Sequence, residues 1–179
     1  MARAAHAAVR GKQRSFSELL LRARTRQRTK QYVTATETIV VDWLIARGVA
    51  CTPQLAVERY NLDIAIHEPP IAIEIRYSGN PNCSRPRNHI SRTEYLLNNG
   101  WSVCYILIDA QHPLLPSAAD EIIAFAQEVS CNPSPIGQYR VIRGNGEVDA
   151  SLSAQFQRGT CIARPARGQN PRSHNRVAG

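Results

Sequence analysis

Four residues carry the chemistry this sequence has to offer: Glu37, Asp63, Glu74 and Arg76. Asp63 interrupts an alternating apolar run, Asn61-Leu62-Asp63-Ile64-Ala65-Ile66-His67. Glu74 interrupts a second one, Ile71-Ala72-Ile73-Glu74-Ile75-Arg76-Tyr77. Successive side chains of a strand point to opposite faces, so Glu74 falls opposite Ile73 and Ile75, and Asp63 opposite Leu62, Ile64 and Ile66. A hairpin closed at Glu68-Pro69-Pro70 sets the two carboxylates side by side. Adjacent unpaired carboxylates raise each other's proton affinity unless a cation or an arginine lies between them. Hard divalent ions with oxygen ligands, Mg2+ first and Mn2+ as its substitute, are the usual resolution in phosphodiester hydrolysis. Plainer readings stay open beside this one. Glu37 serves equally as a helix-capping acid, Asp63 and Glu74 as exposed strand residues, and Glu74 as an ion-pair partner of Arg76 or Arg92. Asp63 is the hardest to dismiss, because Asp is a poor strand former.

The elements that must position these groups follow from local pattern. Ser15 and Glu18 stand at capping-box spacing before Leu19-Leu20-Leu21 and open a helix over 16–30. Its second half, Arg22 to Lys30, is almost wholly polar and is expected to be helical only when docked, with phosphate the obvious partner. Thr34 and Glu37 repeat the spacing and open a second helix, with Ile39, Val40, Trp43 and Leu44 as its apolar stripe and Gly48 as its stop. Val49–Val57 reads as a strand, followed by the two hairpin strands. The polar stretch from Ser78 to Arg87 precedes a helix from Asn88 to Asn99. Trp101 to Ile108 is a continuous apolar run, the mark of a strand buried on both faces. A further helix from Ser117 to Val129 takes Ser117 as its cap, and Tyr139 to Ile142 is a strand entering a tight turn. The fold class expected is mixed α/β, a central mixed sheet flanked by helices.

With that order in place, a family likeness becomes visible. Asn61-Leu62-Asp63, the turn, and Ile73-Glu74-Ile75-Arg76 resemble the D…(D/E)-x-K signature of the PD-(D/E)XK nuclease superfamily. The likeness is strongest to its small branch around the very-short-patch-repair endonucleases and related short endonuclease-like domains. It covers roughly residues 34–108: a helical Glu before the hairpin matches Glu37, and a helix with a basic residue, then a leucine and a Gly-Trp entry into a buried strand, matches Arg92, Leu96, Gly100, Trp101 and Val103. The resemblance implies a restriction-endonuclease-like core and a metal-dependent DNA endonuclease. It gives Asp63, Glu74 and the Ile75 carbonyl as ligands of Mg2+ (or Mn2+), Glu37 as a holder of the ion or its water, and Arg92 and His89 as orienting groups. One position departs from the signature: Arg76 stands where the motif has lysine. Arginine stays protonated and cannot act as a general base, although it can stabilise charge at a phosphate. Water activation then falls to the metal or to another base, with His89 the nearest by family position. The departure keeps a second function open, a nuclease fold that binds DNA without cutting it.

Charge distribution points to the same partner. The formal net charge is +8, yet residues 31–157 hold eight arginines against thirteen acids. The basicity belongs to the arms: nine basic side chains against one acid in residues 1–30, and five arginines with no acid in 158–179. Such clusters are the footprint of a polyanion, since each neutralised phosphate releases counterions. Arg14, Arg22, Arg24, Arg26, Arg28 and Lys30 in the basic N-terminal arm, with Arg85 and Arg87 beside the proposed site, are the candidate DNA contacts. The division expected is a basic arm (1–30), a core (31–157) and a disordered basic tail (158–179). Alternatively the arms merely keep the chain in solution. The absence of a long apolar run argues against a membrane span, and the N-terminus lacks the apolar segment of a secretory signal, though its Arg-rich, acid-poor composition is shared with transit peptides. Five scattered cysteines without a CxxC pair argue against a disulfide framework and for a reducing cytoplasm. Walker-type, GxGxxG and Gly-x-Ser-x-Gly patterns do not occur, which removes support for motors, dehydrogenases and elbow-type hydrolases.

Overall fold

The structure, a computed structural model, describes residues 14–77 and 86–157. Helices α1 (Phe16–Thr29) and α2 (Ala35–Ala46) lead into strands β1 (Cys51–Val57), β2 (Tyr60–Ile66) and β3 (Ile71–Tyr77). Then follow α3 (Pro86–Asn98), β4 (Ser102–Ile108), α4 (Ser117–Cys131), β5 (Tyr139–Arg143) and α5 (Ala150–Gln157). The five strands form one mixed sheet in the order β1-β2-β3-β4-β5. The first two pairings are antiparallel, and β3–β4 and β4–β5 are parallel, joined by α3 and α4. This is the mixed α/β sheet with flanking helices that the alternation of patterns requires. Among the described residues no helix is long and apolar enough to cross a membrane.

The sheet sorts its side chains by parity. Ile64, Ile66, Ile71, Ile73, Cys104 and Ile106 pack under α2 and α4, against Val40, Leu44, Ile122 and Phe125. Ala65, Ala72, Val103, Tyr105 and Val141 pack on the other face under α3, against Leu96 and Leu97, with Leu152 of α5 at its margin. Each fully buried Ile or Leu stabilises by about 1.5–3 kcal/mol relative to exposure, so these faces fix the register. Strand β4 is buried at every position but Leu107, as its continuous apolar run demands. Leu62 departs from the expected grouping with Ile64 and Ile66 and packs with Ala65 and Ala72. The β1–β2 ladder skips Gln54 and Asp63, and Gln54 adopts a left-handed φ of 54°. Simple alternation fails at that break.

The boundary differences have local causes. Helix α1 carries the full capping box, Ser15 and Glu18 each bonding the other's backbone N–H. At α2, Thr34 caps the Glu37 N–H, and the Glu37 carboxylate also accepts from the Gln54 side chain inside the protein. Ser117 is not the cap of α4. Pro116 occupies that position, and the Ser117 hydroxyl donates to the Asn145 carbonyl, tying α4 to the turn after β5. Helix α5 has no counterpart among the elements expected from sequence; Asp149 starts it by accepting the Leu152 N–H.

The largest difference concerns α1. Its polar second half is docked on the protein's own strands β1 and β2, not waiting for phosphate. Ala23 is 2% exposed, the Asn61 side-chain amide donates to the Ala23 carbonyl, and the Gln27 side chain accepts from the Ala56 N–H. Two hydrogen bonds and one small buried residue replace the apolar stripe the helix lacks. The tail 158–179 lies outside the described residues.

Candidate active site

The site begins where the hairpin opens. Strands β2 and β3 pair only at Ile66–Ile71, Ala65–Ala72 and Ile64–Ile73. One step further the register sets Asp63 opposite Glu74, and there a side chain takes over from the ladder. The Asp63 carboxylate accepts the Ile75 backbone N–H at 2.9 Å through Oδ2. A peptide donor that lost its strand partner is satisfied by a carboxylate, which anchors Asp63 between the two strands.

Glu74 lies on the α3 face, as parity requires, and is 1% exposed. Arg92, from the middle of α3, donates to its Oε1, and Arg76 reaches its Oε2 at 3.5 Å. Burial pushes the Glu74 carboxyl up to about 8, Arg92 pulls the other way, and the neighbouring Asp63 charge adds to the rise. Arg92 also donates to the Asn61 carbonyl. The guanidinium of Arg92 lies 5.9 Å from the Tyr60 ring centre and that of Arg76 5.6 Å from the Tyr105 ring centre.

Glu37 arrives from the opposite direction, at the N-terminus of α2. It is 5% exposed, and the Gln54 side chain donates to its Oε2 at 2.9 Å. Burial raises its carboxyl above the ordinary range, the Gln54 hydrogen bond opposes that rise, and the Asp63 charge reinforces it. Asp63 therefore stands between two buried carboxyl groups and acts electrostatically on both. Thr36 of α2 hydrogen-bonds the Tyr77 hydroxyl, closing the same end of β3. The three carboxylates named by spacing thus converge from a helix and two strands.

The structure brings together Glu37, Asp63, Glu74, Arg76 and Arg92, with Ile75 between the last two strand positions. Arg85 lies outside the described residues, as do the side chains of Arg87 and His89 in the first turn of α3. Arg22, Arg24, Arg28 and Lys30 are exposed on or just after α1, and Arg14 just before it. Arg26 is half-buried, its guanidinium 4.9 Å from the ring centre of Tyr32. Sequence reasoning missed Gln54 and Asn61. Gln54 is 6% exposed and links Glu37 to the sheet, while the Asn61 amide bridges the Ala23 and Gln54 carbonyls. A glutamine following proline inside an otherwise apolar strand was the available signal.

The donor set fits a hard divalent cation in chemistry. Two carboxylates and one carbonyl are all oxygen, and Mg2+ is commonly held by one or two carboxylates, with water and substrate phosphate completing the shell. Two features set against that fit. Among the described residues no three His, Cys, Asp or Glu side chains form a metal-binding group. Glu74 has both oxygens engaged by guanidinium, so an ion at this position requires those contacts to be released. A surface groove lies elsewhere, at the turn end of the hairpin, lined by Val49, Ile66, His67, Ile123 and Ala126. Comparison with protein-family models, with curated proteins and with solved structures finds no match to this chain, so the chemistry of the site rests on its own geometry.

Proposed function

We propose that this chain is a metal-dependent DNA endonuclease with a restriction-endonuclease-like core, hydrolysing phosphodiester bonds. One observation carries the reading: Asp63 and Glu74 meet where β2 and β3 part, within reach of Arg76 and Arg92. The succession of helix, hairpin, helix and buried strand supports the PD-(D/E)XK resemblance, which asks for that order around those carboxylates. Asp63, Glu74 and the Ile75 carbonyl hold Mg2+ or Mn2+, and Glu37 holds its water. The ion supplies water activation and charge neutralisation at the scissile phosphate. Arg76 and Arg92 bind and orient that phosphate, and Arg76 stabilises the charge that develops on it. Since Arg76 stays protonated and cannot accept a proton, His89 is the candidate base by its position near the start of α3. Exposed arginines of the first helix grip the flanking backbone. Free thiols at Cys51, Cys104 and Cys131 suit the reducing cytoplasm in which such an enzyme would meet DNA.

A second reading has its own observation. Both Glu74 oxygens face guanidinium groups, which suits a nuclease fold that binds DNA and does not cut it. Cleavage of supercoiled plasmid and branched DNA separates the two. The nuclease reading expects nicking with Mg2+ or Mn2+, none with EDTA, and loss of at least 100-fold in Asp63→Ala and Glu74→Ala (about 3 kcal/mol in the barrier). DNA retention by all three proteins, with EDTA and without cleavage, assigns the chain to binding alone.

A further inference from the structure

The geometry points to single-stranded DNA as the ligand at the far end of β3: Tyr32 and Tyr77 are the rings on which its bases stack, and the basic side chains ahead of α2 hold its backbone. The inference rests on the reading of this chain as one that acts on DNA. It requires no ion, and it adds the form of the strand that lies next to the carboxylates.

Tyr32 and Tyr77 are remote in sequence, and the fold brings them to the same end of α2. Tyr32 stands two residues ahead of Thr34, the cap of that helix, and Tyr77 hydrogen-bonds Thr36 in its first turn. Neither ring is spent on the core: Tyr32 is 52% exposed and Tyr77 45%. Both are nonetheless held in place. The Arg26 guanidinium lies over the Tyr32 ring, 4.9 Å from its centre, and the Thr36 hydroxyl ties down the Tyr77 phenol. A cation over one face of a ring leaves the other face for a second flat group. A ring already fixed gives up little freedom when such a group stacks on it.

Charge selects the polymer to which that group belongs. Residues 19–36 hold four arginines and one lysine and no acid. Arg22, Arg24, Arg28 and Lys30 are exposed, and the first acid beyond them, Glu37, is buried. Exposed rings set among cations suit a polyanion that carries flat groups, and nucleic acid is that polymer. The number of strands follows from stacking. In a duplex each base is covered by its neighbours above and below, so a surface ring finds no free base face. An unpaired strand offers one at every nucleotide. Tyr77 stands three residues beyond Glu74 on β3, about 10 Å along the strand, so the rings adjoin the carboxylate site.

The test is fluorescence anisotropy of the full chain with a labelled oligonucleotide, as single strand and as duplex, in EDTA and at fixed salt. The single strand is expected to bind at least about 5-fold more tightly than the duplex. Tyr32→Ala and Tyr77→Ala should each weaken the single strand about 5-fold or more and leave the duplex within about 2-fold of wild type. Tyr32→Phe and Tyr77→Phe should stay close to wild-type affinity, because the ring and not the hydroxyl does the stacking. If circular dichroism shows that Tyr77→Ala fails to fold, the two Tyr32 variants carry the test alone. Equal losses for both forms, no loss in either alanine variant, or a wild type that prefers the duplex overturns the stacking and leaves DNA to the arginines. Tighter binding of RNA of the same sequence overturns the assignment to DNA. No binding of either form overturns the DNA-acting reading itself, and the stacking with it.

Discussion

Glu74 has its charge set by opposed influences, and their balance is open to measurement. Burial raises its carboxyl to about 8, well above the ordinary 4.5, against the pull of Arg92. Between those values the folded chain keeps a proton that the unfolded chain has released. The contribution of this group to stability is therefore whole below about pH 4.5 and is lost as pH rises through about 8. Glu37, also raised by burial, acts in the same direction. Urea unfolding should show wild type losing about 1–3 kcal/mol between pH 5 and pH 8, with the loss reduced in Glu74→Gln. Parallel pH profiles for the two proteins would mean that Arg92 keeps the carboxylate ionised throughout. Gln54 belongs to the same residue-scale account. It holds a left-handed φ that costs a side-chain-bearing residue about 1–2 kcal/mol, and that conformation is where its amide meets Glu37.

At the scale of elements, α1 is the instructive case. It begins with a complete capping box and ends at Lys30 in a left-handed cap, so its boundaries are local properties. Its attachment is not. One buried alanine and two side-chain hydrogen bonds hold it across β1 and β2, a small contact for a helix of 14 residues. Ala23→Asp places a carboxylate in that contact with no partner and should cost about 2–4 kcal/mol of docking. Limited trypsin digestion checks this: cleavage within Arg22–Arg28 should quicken at least 10-fold, because local opening controls access. An unchanged rate would show that α1 gains its order from its own sequence. The hairpin illustrates the converse, a ladder cut short after three pairs so that Asp63 can reach the Ile75 N–H.

For the molecule as a whole, the separation of charge is the governing feature. An acidic core carries the carboxylate site, and the exposed arginines of α1 lie on the surface of the same folded unit. If those arginines contact phosphates, each contact contributes about 0.9 to the slope of log affinity against log salt. Replacing Arg22, Arg24 and Arg28 together by Gln should flatten that slope by about 2 to 3, as measured by fluorescence anisotropy with a labelled duplex. A slope that stays the same would move the DNA-binding surface away from α1.

Local pattern alone determined much of this protein. Capping boxes, period-two runs and a continuous apolar strand named most elements of the sheet and its helices, because each depends on residues close in sequence. Parity placed Glu74 opposite Ile73 and Ile75 for the same reason. Only the tertiary structure decided where distant groups meet. Glu37 has the spacing of a capping acid, and only the fold brings it the further donor of Gln54, on another element. Leu62 changes cluster because the ladder breaks at Gln54 and Asp63, which no single-strand pattern records. Glu74 finds Arg92 because parallel pairing of β3 with β4 holds α3 over that face, and α1 finds its place through contacts with β1 and β2, remote from it in sequence. Periodicity fixes which face a side chain takes; register and docking between remote segments fix what it finds there.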